Sequence, residues 1–208
     1  MMKMLKKKNF RILFMMMAAV LIFTPFISLL SFAQEEGVKT FIDQVARKLI
    51  DTMKDSSSST KTKRDKVKEI LENNFDVEWM GRSAMGVNYR KLTSEQKEQY
   101  APLYLNYLLN NYFPILMKYD NDDSYEILKI QQIDQKDYYV NLKLTTKKSE
   151  NPIVIKYRVR YIKSGYKCLD MVVEGISTLT SQRAEFSSAI HQSGVDLFLK
   201  KLKSQKTE

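Results

Sequence analysis

The sequence has 208 residues, with 34 Lys and Arg against 24 Asp and Glu, a formal net charge of +10. Its one cysteine, Cys168, excludes an intramolecular disulfide, and its one histidine, His191, excludes a histidine-rich metal site. Neither the GxxxxGK(S/T) nor the GxGxxG phosphate-binding motif occurs. A folded domain in this chain must therefore be stabilised by hydrophobic burial alone.

Residues 1–33 have the order of a secretory signal peptide. Five basic residues and no acidic residue occur in this leader, and its apolar stretch is Ile12–Phe32. Ser31 and Ala33 are small residues at the two positions that a signal peptidase recognises. We therefore predict an exported protein with a leader over 1–33, cleaved near Ala33, and one folded domain over 34–208. The alternative is an uncleaved membrane anchor, because the apolar stretch can cross about 30 Å of hydrocarbon. Pro25 favours cleavage.

Removal of the leader halves the net charge. All 24 acidic residues and 29 of the 34 basic residues lie in 34–208, so the domain carries +5. This excess favours anionic surfaces such as lipid head groups, but it is not the concentrated basic stripe of a nucleic-acid-binding protein.

Apolar residues that recur every three or four positions predict three helices in the first part of the domain. These helices span Val38–Lys54, Thr62–Phe75 and Asp76–Gly86. Thr93 and Gln96 have the pattern of a capping box, which predicts the start of a fourth helix running towards Tyr119. Pro102 and Pro114 predict bends, so this segment is either one kinked helix or two abutting helices.

After Ser124 the apolar period changes from 3.6 to 2, which predicts strands joined by short hairpins. The four predicted strands are Tyr125–Ile133, Tyr138–Thr146, Pro152–Ile162 and Tyr166–Glu174. In the third, apolar residues alternate with Lys156, Arg158 and Arg160, so we expect an antiparallel meander with one apolar and one charged face. Two helical segments follow, divided by Gly194: Ser177–Gln192 and Val195–Leu202. This order predicts an α+β fold in which helices cover a four-stranded antiparallel sheet.

No set of residues in the sequence predicts a reaction. His191 lacks evident catalytic partners, and the acidic pairs Asp122/Asp123 and Glu35/Glu36 lie in turn-like or terminal segments. Asp170 and Glu174 lie four residues apart on one predicted strand, which makes a hydrolytic pair conceivable, although a structural role is the simpler interpretation. We therefore expect neither a catalytic site nor a metal site.

Tyrosines are frequent in the long fourth helix, at Tyr100, Tyr104, Tyr107, Tyr112 and Tyr119. They either fill a core or wall a cavity that faces the sheet, since a tyrosine offers apolar area inside and a hydroxyl at a wet mouth. Composition alone does not decide between the two.

The end of the chain resembles a known family. Tyr166–Ser177 is similar to the last strand of the MlaC (toluene-tolerance) family, whose pattern there is about W-K-V-Y-D-V-x-(I/V)-E-G-(V/I)-S. Arg183 and Phe186 match the family's following Y-R-x-x-F-S run, and Gly194–Leu197 matches its G-I-D-x-L. Upstream, Gly86–Tyr100 resembles its segment around R-x-L-T-(P/S)-E-Q.

These blocks keep the family's order from about Val38 to Leu202, nearly the whole domain. The departures are Tyr166 in place of Trp, Cys168 in place of Val and Gln182 in place of Tyr.

The resemblance implies a fold, a cargo and partners. The fold is NTF2-like, a curved antiparallel sheet wrapped by helices with a deep apolar pocket. The function is that of a periplasmic phospholipid carrier, non-enzymatic and without a cofactor, that moves lipid between the inner and outer membranes and maintains outer-membrane lipid asymmetry. The implied partners are an inner-membrane ABC transporter complex with an MCE-domain subunit and an outer-membrane lipoprotein–porin complex.

We predict that the pocket wall comes from the apolar strand face and the long helix. Its predicted residues are Tyr104, Leu108, Tyr112, Leu116, Val140, Leu142, Leu144, Ile155, Tyr157 and Val159. The candidates for its mouth are Phe75, Trp79 and Met80. Four residues at family motif positions are interpreted as structural, fixing the last strand against the last helix by buried hydrogen bonds or pairing: Asp170, Glu174, Gly175 and Arg183.

Two other functions remain open. An NTF2-like pocket can host acid–base chemistry around a buried Asp, which would make the protein an enzyme. A leader that stays attached would make it a membrane-tethered interaction module.

Overall fold

The structure of the protein, a computed structural model, describes residues 34–119, 122–147 and 150–205. The chain divides into two units, Met1–Gly37 and Val38–Glu208. In the first unit only residues 34–37 are described, and they are helical. The predicted leader lies outside the described residues, so its cleavage stays a prediction. The fold presented below is that of the second unit.

Within the described residues the chain forms five α-helices and one 3₁₀-helix. The bounds within the second unit are 38–54 for α1, Thr60–Asn74 for α2, Val77–Met85 for α3, Gly86–Lys91 for the 3₁₀-helix, Ser94–Leu116 for α4 and Thr178–Ser204 for α5. The five α-helices lie where the apolar periodicity predicts them. None of the helices in the described part of the chain combines the length and the apolar character that a membrane span requires.

Side chains cap the starts of four α-helices, α2 to α5. The Ser59 hydroxyl accepts the Thr62 amide at 3.1 Å and begins α2. The Thr93 hydroxyl accepts the Gln96 amide at 3.1 Å, while the Gln96 side chain accepts the Thr93 amide at 3.0 Å. The predicted capping box is therefore confirmed, and it fixes the first turn of α4.

Helix α4 is one continuous helix although Pro102 and Pro114 lie inside it. The alternative of two abutting helices is therefore wrong, and α4 ends at Leu116 rather than running to Tyr119. Helix α5 does contain the predicted break, because Gly194 has φ 77° and ψ 167°, a conformation that glycine adopts without strain.

The sheet is a five-stranded antiparallel meander in which strand order follows chain order. The strands are β1 Ser124–Gln132, β2 Asp137–Thr145, β3 Ile153–Ile162, β4 Gly165–Val173 and β5 Ile176–Ser177. The first four match the predicted strands. Irregular pairing between Ile127 and Lys129 in β1, and between Arg158 and Val159 opposite β4, introduces bulges that bend the sheet.

The two-residue strand β5 corrects the predicted four-stranded sheet. Glu174 and Gly175 have φ angles of 50° and 82°, and Val173 pairs with Ile176 across them. Two successive residues with positive φ make the tight turn of a two-residue hairpin, so the chain reverses once more before α5. Glu174 is exposed in this turn, rather than buried in a pairing interaction as we expected.

The junction between α2 and α3 packs on the free edge of β4. Phe75 forms a parallel bridge with Cys168, and the Asp76 amide donates to the Cys168 carbonyl at 2.9 Å. This contact fixes the helices at one side of the sheet.

One hydrophobic cluster joins the helices to one face of the sheet. On the sheet it contains Val140, Leu142, Val159 and Cys168, and on α4 it contains Tyr100, Tyr104 and Leu108. The tyrosine hydroxyls are satisfied by other helices, since Tyr100 donates to the Gly81 carbonyl at 3.0 Å and Tyr104 to Gln182 Oε1 at 2.8 Å. Both tyrosines are 1% exposed, so they form part of the packed core.

Candidate functional site

The inner face of the sheet, defined as the face that joins the hydrophobic cluster, is not uniformly buried. Its β2 residues are Tyr138, Val140, Leu142 and Leu144, paired with Val159, Tyr157, Ile155 and Ile153 of β3. The residues around Val140 and Val159 are inaccessible, whereas Leu144, Tyr157, Ile155 and Ile153 are only half-buried. The inner face therefore becomes accessible towards the end of β2 and the start of β3.

Tyr157 lies where this change occurs. Burial raises the pKa of its hydroxyl well above the ordinary value. Part of the side chain nevertheless remains accessible. Tyr157 therefore lies at the boundary between the packed part and the accessible part of the inner face.

Other half-buried apolar side chains pack against the same cluster from four elements. They are Phe41, Leu49 and Met53 of α1, Tyr112 and Leu116 of α4, Tyr125 and Ile127 of β1, and Met171 of β4. Helix α1 is held close to the sheet, because Tyr125 donates to Asp43 Oδ1 at 2.8 Å and the Phe41 and Tyr166 rings lie 5.8 Å apart. The sequence analysis missed the contribution of α1, since its apolar stripe has the pattern of any core helix.

The predicted pocket residues fall into two groups. Buried within the core are Tyr104, Leu108, Val140, Leu142, Val159, Phe75 and Met80. Half-buried are Tyr112, Leu116, Leu144, Ile155 and Tyr157. The structure brings all of these except Ile155 into or against one cluster, and Ile155 is next to Tyr157 on the same face of β3.

Trp79 packs against the hydrophobic cluster and also borders the charged face of the sheet. Its ring lies 5.8 Å from the Arg158 guanidinium and 5.6 Å from that of Arg160, on the charged face of β3. Both guanidiniums bind the carboxylate of Asp137, with shortest distances of 2.6 Å. Hydrogen bonds from Arg160 and Arg158 lower the pKa of Asp137, although desolvation opposes them. The group is an ion-pair cluster that the Trp79 indole ring covers, and a place for Trp79 at the pocket mouth stays a prediction.

Asp170 connects the last long strand to the last helix. Its carboxylate accepts hydrogen bonds from the Ser177 hydroxyl at 2.6 Å, the Thr178 hydroxyl at 2.9 Å and the Leu179 amide at 3.2 Å. These contacts hold β4 against the first turn of α5. Its oxygens are engaged in this way while Glu174 lies in the exposed turn, so the two carboxylates do not face a common cleft.

Arg183 joins α5 to α3. Its Nε donates to the Ser83 carbonyl at 2.8 Å. Its side chain also passes close to Gly86, because a Cβ atom at that position would lie 3.3 Å from Arg183 Cδ. Gly86 has φ 56°, so both the close approach and the backbone conformation favour glycine there.

Among residues 34–119, 122–147 and 150–205, no three His, Cys, Asp or Glu side chains are grouped in a way that could hold a metal ion. The described site is thus an apolar surface bounded by the sheet, α1 and α4, with tyrosine hydroxyls at its edges. Tyr112 illustrates this, because its hydroxyl contacts the side chains of Thr178 and Gln182 while its ring packs on the cluster. Such a surface suits an apolar ligand.

Comparison with known proteins gives three findings. A family model described as MlaC protein matches residues 43–204. The intermembrane phospholipid transport system binding protein MlaC of Haemophilus influenzae is 23% identical over 214 positions, covering 97% of this chain and 94% of that protein. A phospholipid-binding protein from Ralstonia solanacearum, solved in complex with a phospholipid, has a TM-score of 0.68 at 20% identity, covering 82% of this chain and 95% of that one. This last likeness shows a common fold.

Proposed function

Because this chain belongs to the MlaC protein family, we propose that it is a phospholipid carrier that moves lipid across the periplasm between the inner and outer membranes. The observation that carries the proposal is the accessible part of the inner face, where Leu144, Ile155 and Tyr157 are half-buried beside a fully packed core. The name of the Haemophilus influenzae relative and the phospholipid held by the Ralstonia solanacearum protein support it.

The free energy of the cargo explains why such a surface is sufficient. A two-tailed phospholipid has about 30 methylenes, and exposing each to water costs about 0.8 kcal/mol, so unaided transfer faces about 24 kcal/mol. A recess as apolar as the bilayer removes most of this cost, and exchange between the two becomes nearly balanced. The proposed protein therefore works without a catalytic step, and bound phospholipid is its cargo rather than a cofactor.

The proposed wall of the recess is narrower than the set predicted from the sequence. Its members are the half-buried residues Tyr112, Leu116, Leu144, Ile155 and Tyr157, together with Phe41, Met53, Ile127 and Met171. The fully buried Leu108, Val140, Leu142 and Val159 lie behind them and support their positions. Apolar contacts have little directionality, so this wall accepts varied acyl tails.

The proposed partners are the inner-membrane ABC transporter complex with its MCE-domain subunit and the outer-membrane lipoprotein–porin complex that the family implies. The relative's name, which places it in an intermembrane transport system, supports this assignment. A nearly balanced exchange has no preferred direction, so net transport requires coupling to such partners. The proposal also requires that the leader over 1–33 is removed near Ala33, because a carrier must leave the membrane that it was exported through.

A transfer assay tests the proposal. Donor vesicles contain a self-quenched fluorescent phospholipid, acceptor vesicles contain none, and the mature protein is added at increasing concentration. We expect the dequenching rate to rise in proportion to protein concentration. A rate equal to that of the vesicles alone, at every concentration of folded protein, would overturn the carrier function.

A further inference from the structure

Two basic helical segments that are distant in sequence lie on either side of α4. The first half of α2, Lys61–Lys68, has five basic residues and one acidic residue, and the end of α5 has Lys200, Lys201 and Lys203. Asn110 of α4 contacts both segments: the Arg64 Nη2 donates to its Oδ1 at 2.6 Å, and its Nδ2 donates to the Gln205 carbonyl at 3.3 Å. Asn110 therefore links the two segments, and we call their solvent-facing lysines the cationic surface.

Helix α4 adds no charge to this surface. From Ala101 to Met117 it has no charged side chain, and Ala101, Pro102 and Asn106 are exposed. No carboxylate on this stretch of α4 thus offsets the flanking lysines.

Four lysines of the surface are available for a partner. Two other lysines of α2 already have partners: Lys63 donates to the Met53 carbonyl, and Lys66 forms an ion pair with the Asp55 carboxylate. In contrast, the side chains of Lys61, Lys68, Lys200 and Lys203 are exposed, and no described residue forms an ion pair with them. Unpaired cations close together repel each other, so an anionic partner would relieve an unfavourable interaction.

A groove between α4 and α5 runs along this surface. It encloses about 490 Å³, its floor is Pro102, Leu103 and Leu199, and Lys200 and Lys203 stand at its edge. Asp196 also lines this groove, where it accepts a hydrogen bond from Gln96 Nε2 at 2.8 Å, and its charge offsets one of the two lysines. The groove on the other side of α4 is lined by Lys68 and Lys167, but also by Glu72, Asp76 and Glu78. Of these two grooves, the α4–α5 groove is therefore the one whose lining has more basic than acidic residues.

We propose that the α4–α5 groove and its flanking lysines dock an acidic, amphipathic segment of a partner protein. Apolar side chains of the segment enter the groove between Leu103 and Leu199, while its carboxylates pair with Lys200 and Lys203. Charge complementarity selects an anionic partner. A recessed apolar floor fits a protruding helix or strand better than the flat surface of a bilayer. The inference does not depend on which cargo the protein carries.

The probe is a fluorescein-labelled 18-residue helical peptide with leucines on one face and glutamates on the other, tested by anisotropy at 50 and 300 mM NaCl. We expect binding that weakens at least tenfold at the higher salt concentration. The variant Lys200→Glu, Lys203→Glu should lose at least tenfold in affinity. A matched control, Lys129→Glu, Lys163→Glu, makes the same change in net charge at exposed lysines elsewhere and should lose less than threefold.

Three outcomes would overturn the proposal. Equal losses in the two variants would mean that only net charge matters. Binding of phosphatidylglycerol vesicles that depends on Lys200 and Lys203, without peptide binding, would assign the surface to a bilayer. Peptide-induced amide shifts in NMR spectra that avoid residues 99–110 and 196–204 would place the peptide elsewhere.

Discussion

Tyr157 of β3 lies directly opposite Val140 of β2 on the inner face of the sheet, yet Val140 is 0% exposed whereas Tyr157 remains accessible. Burial of both strands together ends at this pair. On one side of it, Val159 and Tyr138 are sealed under the helices. On the other side Leu142 is still buried, whereas its partner Ile155 and the next inward residue of β2, Leu144, are half-buried. The proposed recess therefore begins at Tyr157 and runs towards Leu144.

A bulky side chain in the recess should block the cargo. Ile155→Trp adds volume to an accessible wall position, so we expect bound phospholipid per chain to fall several-fold with the fold intact. Val154→Trp is the control, because Val154 is the adjacent residue on the opposite face and is 46% exposed. Lipid extraction with quantitative mass spectrometry measures both. Equal lipid content in the two variants would remove Ile155 from the wall.

Truncating a side chain to alanine should destabilise the protein more at a core position than at a position in the wall of the proposed recess. Leu108→Ala removes a side chain that is 1% exposed and should lower the free energy of unfolding by about 2–5 kcal/mol. Leu144→Ala removes a half-buried side chain and should cost about 1 kcal/mol, because only part of its surface leaves water on folding. Urea denaturation measures both losses. A loss of unfolding free energy for Leu144→Ala as large as that for Leu108→Ala would mean that Leu144 belongs to the packed core and not to the wall of a recess.

The ion-pair cluster at Asp137 should make stability depend on pH. Its pKa is lowered from an ordinary value of 3.8, so its stabilisation is present above that value and is lost as pH falls through 3.8 towards the lowered value in the fold. Asp137→Asn should cost about 2–4 kcal/mol at pH 7, below the full figure for a buried pair because Arg158 and Arg160 are about one-third exposed.

Urea unfolding of both proteins at several pH values measures this effect. The difference between the wild type and Asp137→Asn should stay constant from pH 7 to about pH 5 and shrink below about pH 4. A difference that is unchanged down to pH 2.5 would show that the carboxylate charge contributes nothing.

The turn before α5 should depend on Gly175. With φ 82°, Gly175→Ala should destabilise the protein by about 1 kcal/mol, while Glu174→Asn, at φ 50°, should be neutral or slightly stabilising because Asn tolerates this conformation. For a domain of this size, about 1 kcal/mol shifts Tm by roughly 2–4 °C in differential scanning fluorimetry. Equal Tm values for the two variants would contradict the turn geometry.

The periodic spacing of apolar residues and the residues that cap helices made most of the fold predictable. The alternation of Ile153, Ile155, Tyr157 and Val159 with charged residues identified β3 and its two faces, and the Thr93–Gln96 capping box identified the start of α4. Strand β5 could not be predicted this way, because two residues carry no period and its existence depends on the φ angles of Glu174 and Gly175.

The degree to which each side chain is buried could not be predicted from the sequence either. Val140 and Tyr157 have the same inward phase in their strands, and only the packing of helices over one end of the sheet distinguishes a buried position from an accessible one. Trp79 is a similar case. The sequence could not show that its ring lies against Arg158 and Arg160, which are about 80 positions further along the chain, as well as against the hydrophobic cluster.

The most direct test of the carrier function is native mass spectrometry of the mature protein purified from a bacterial envelope. The account predicts a species with about one phospholipid per chain, released under collision to give the bare protein and an identifiable lipid. The account would be contradicted by a folded protein that is consistently empty and that also fails to acquire phospholipid from vesicles.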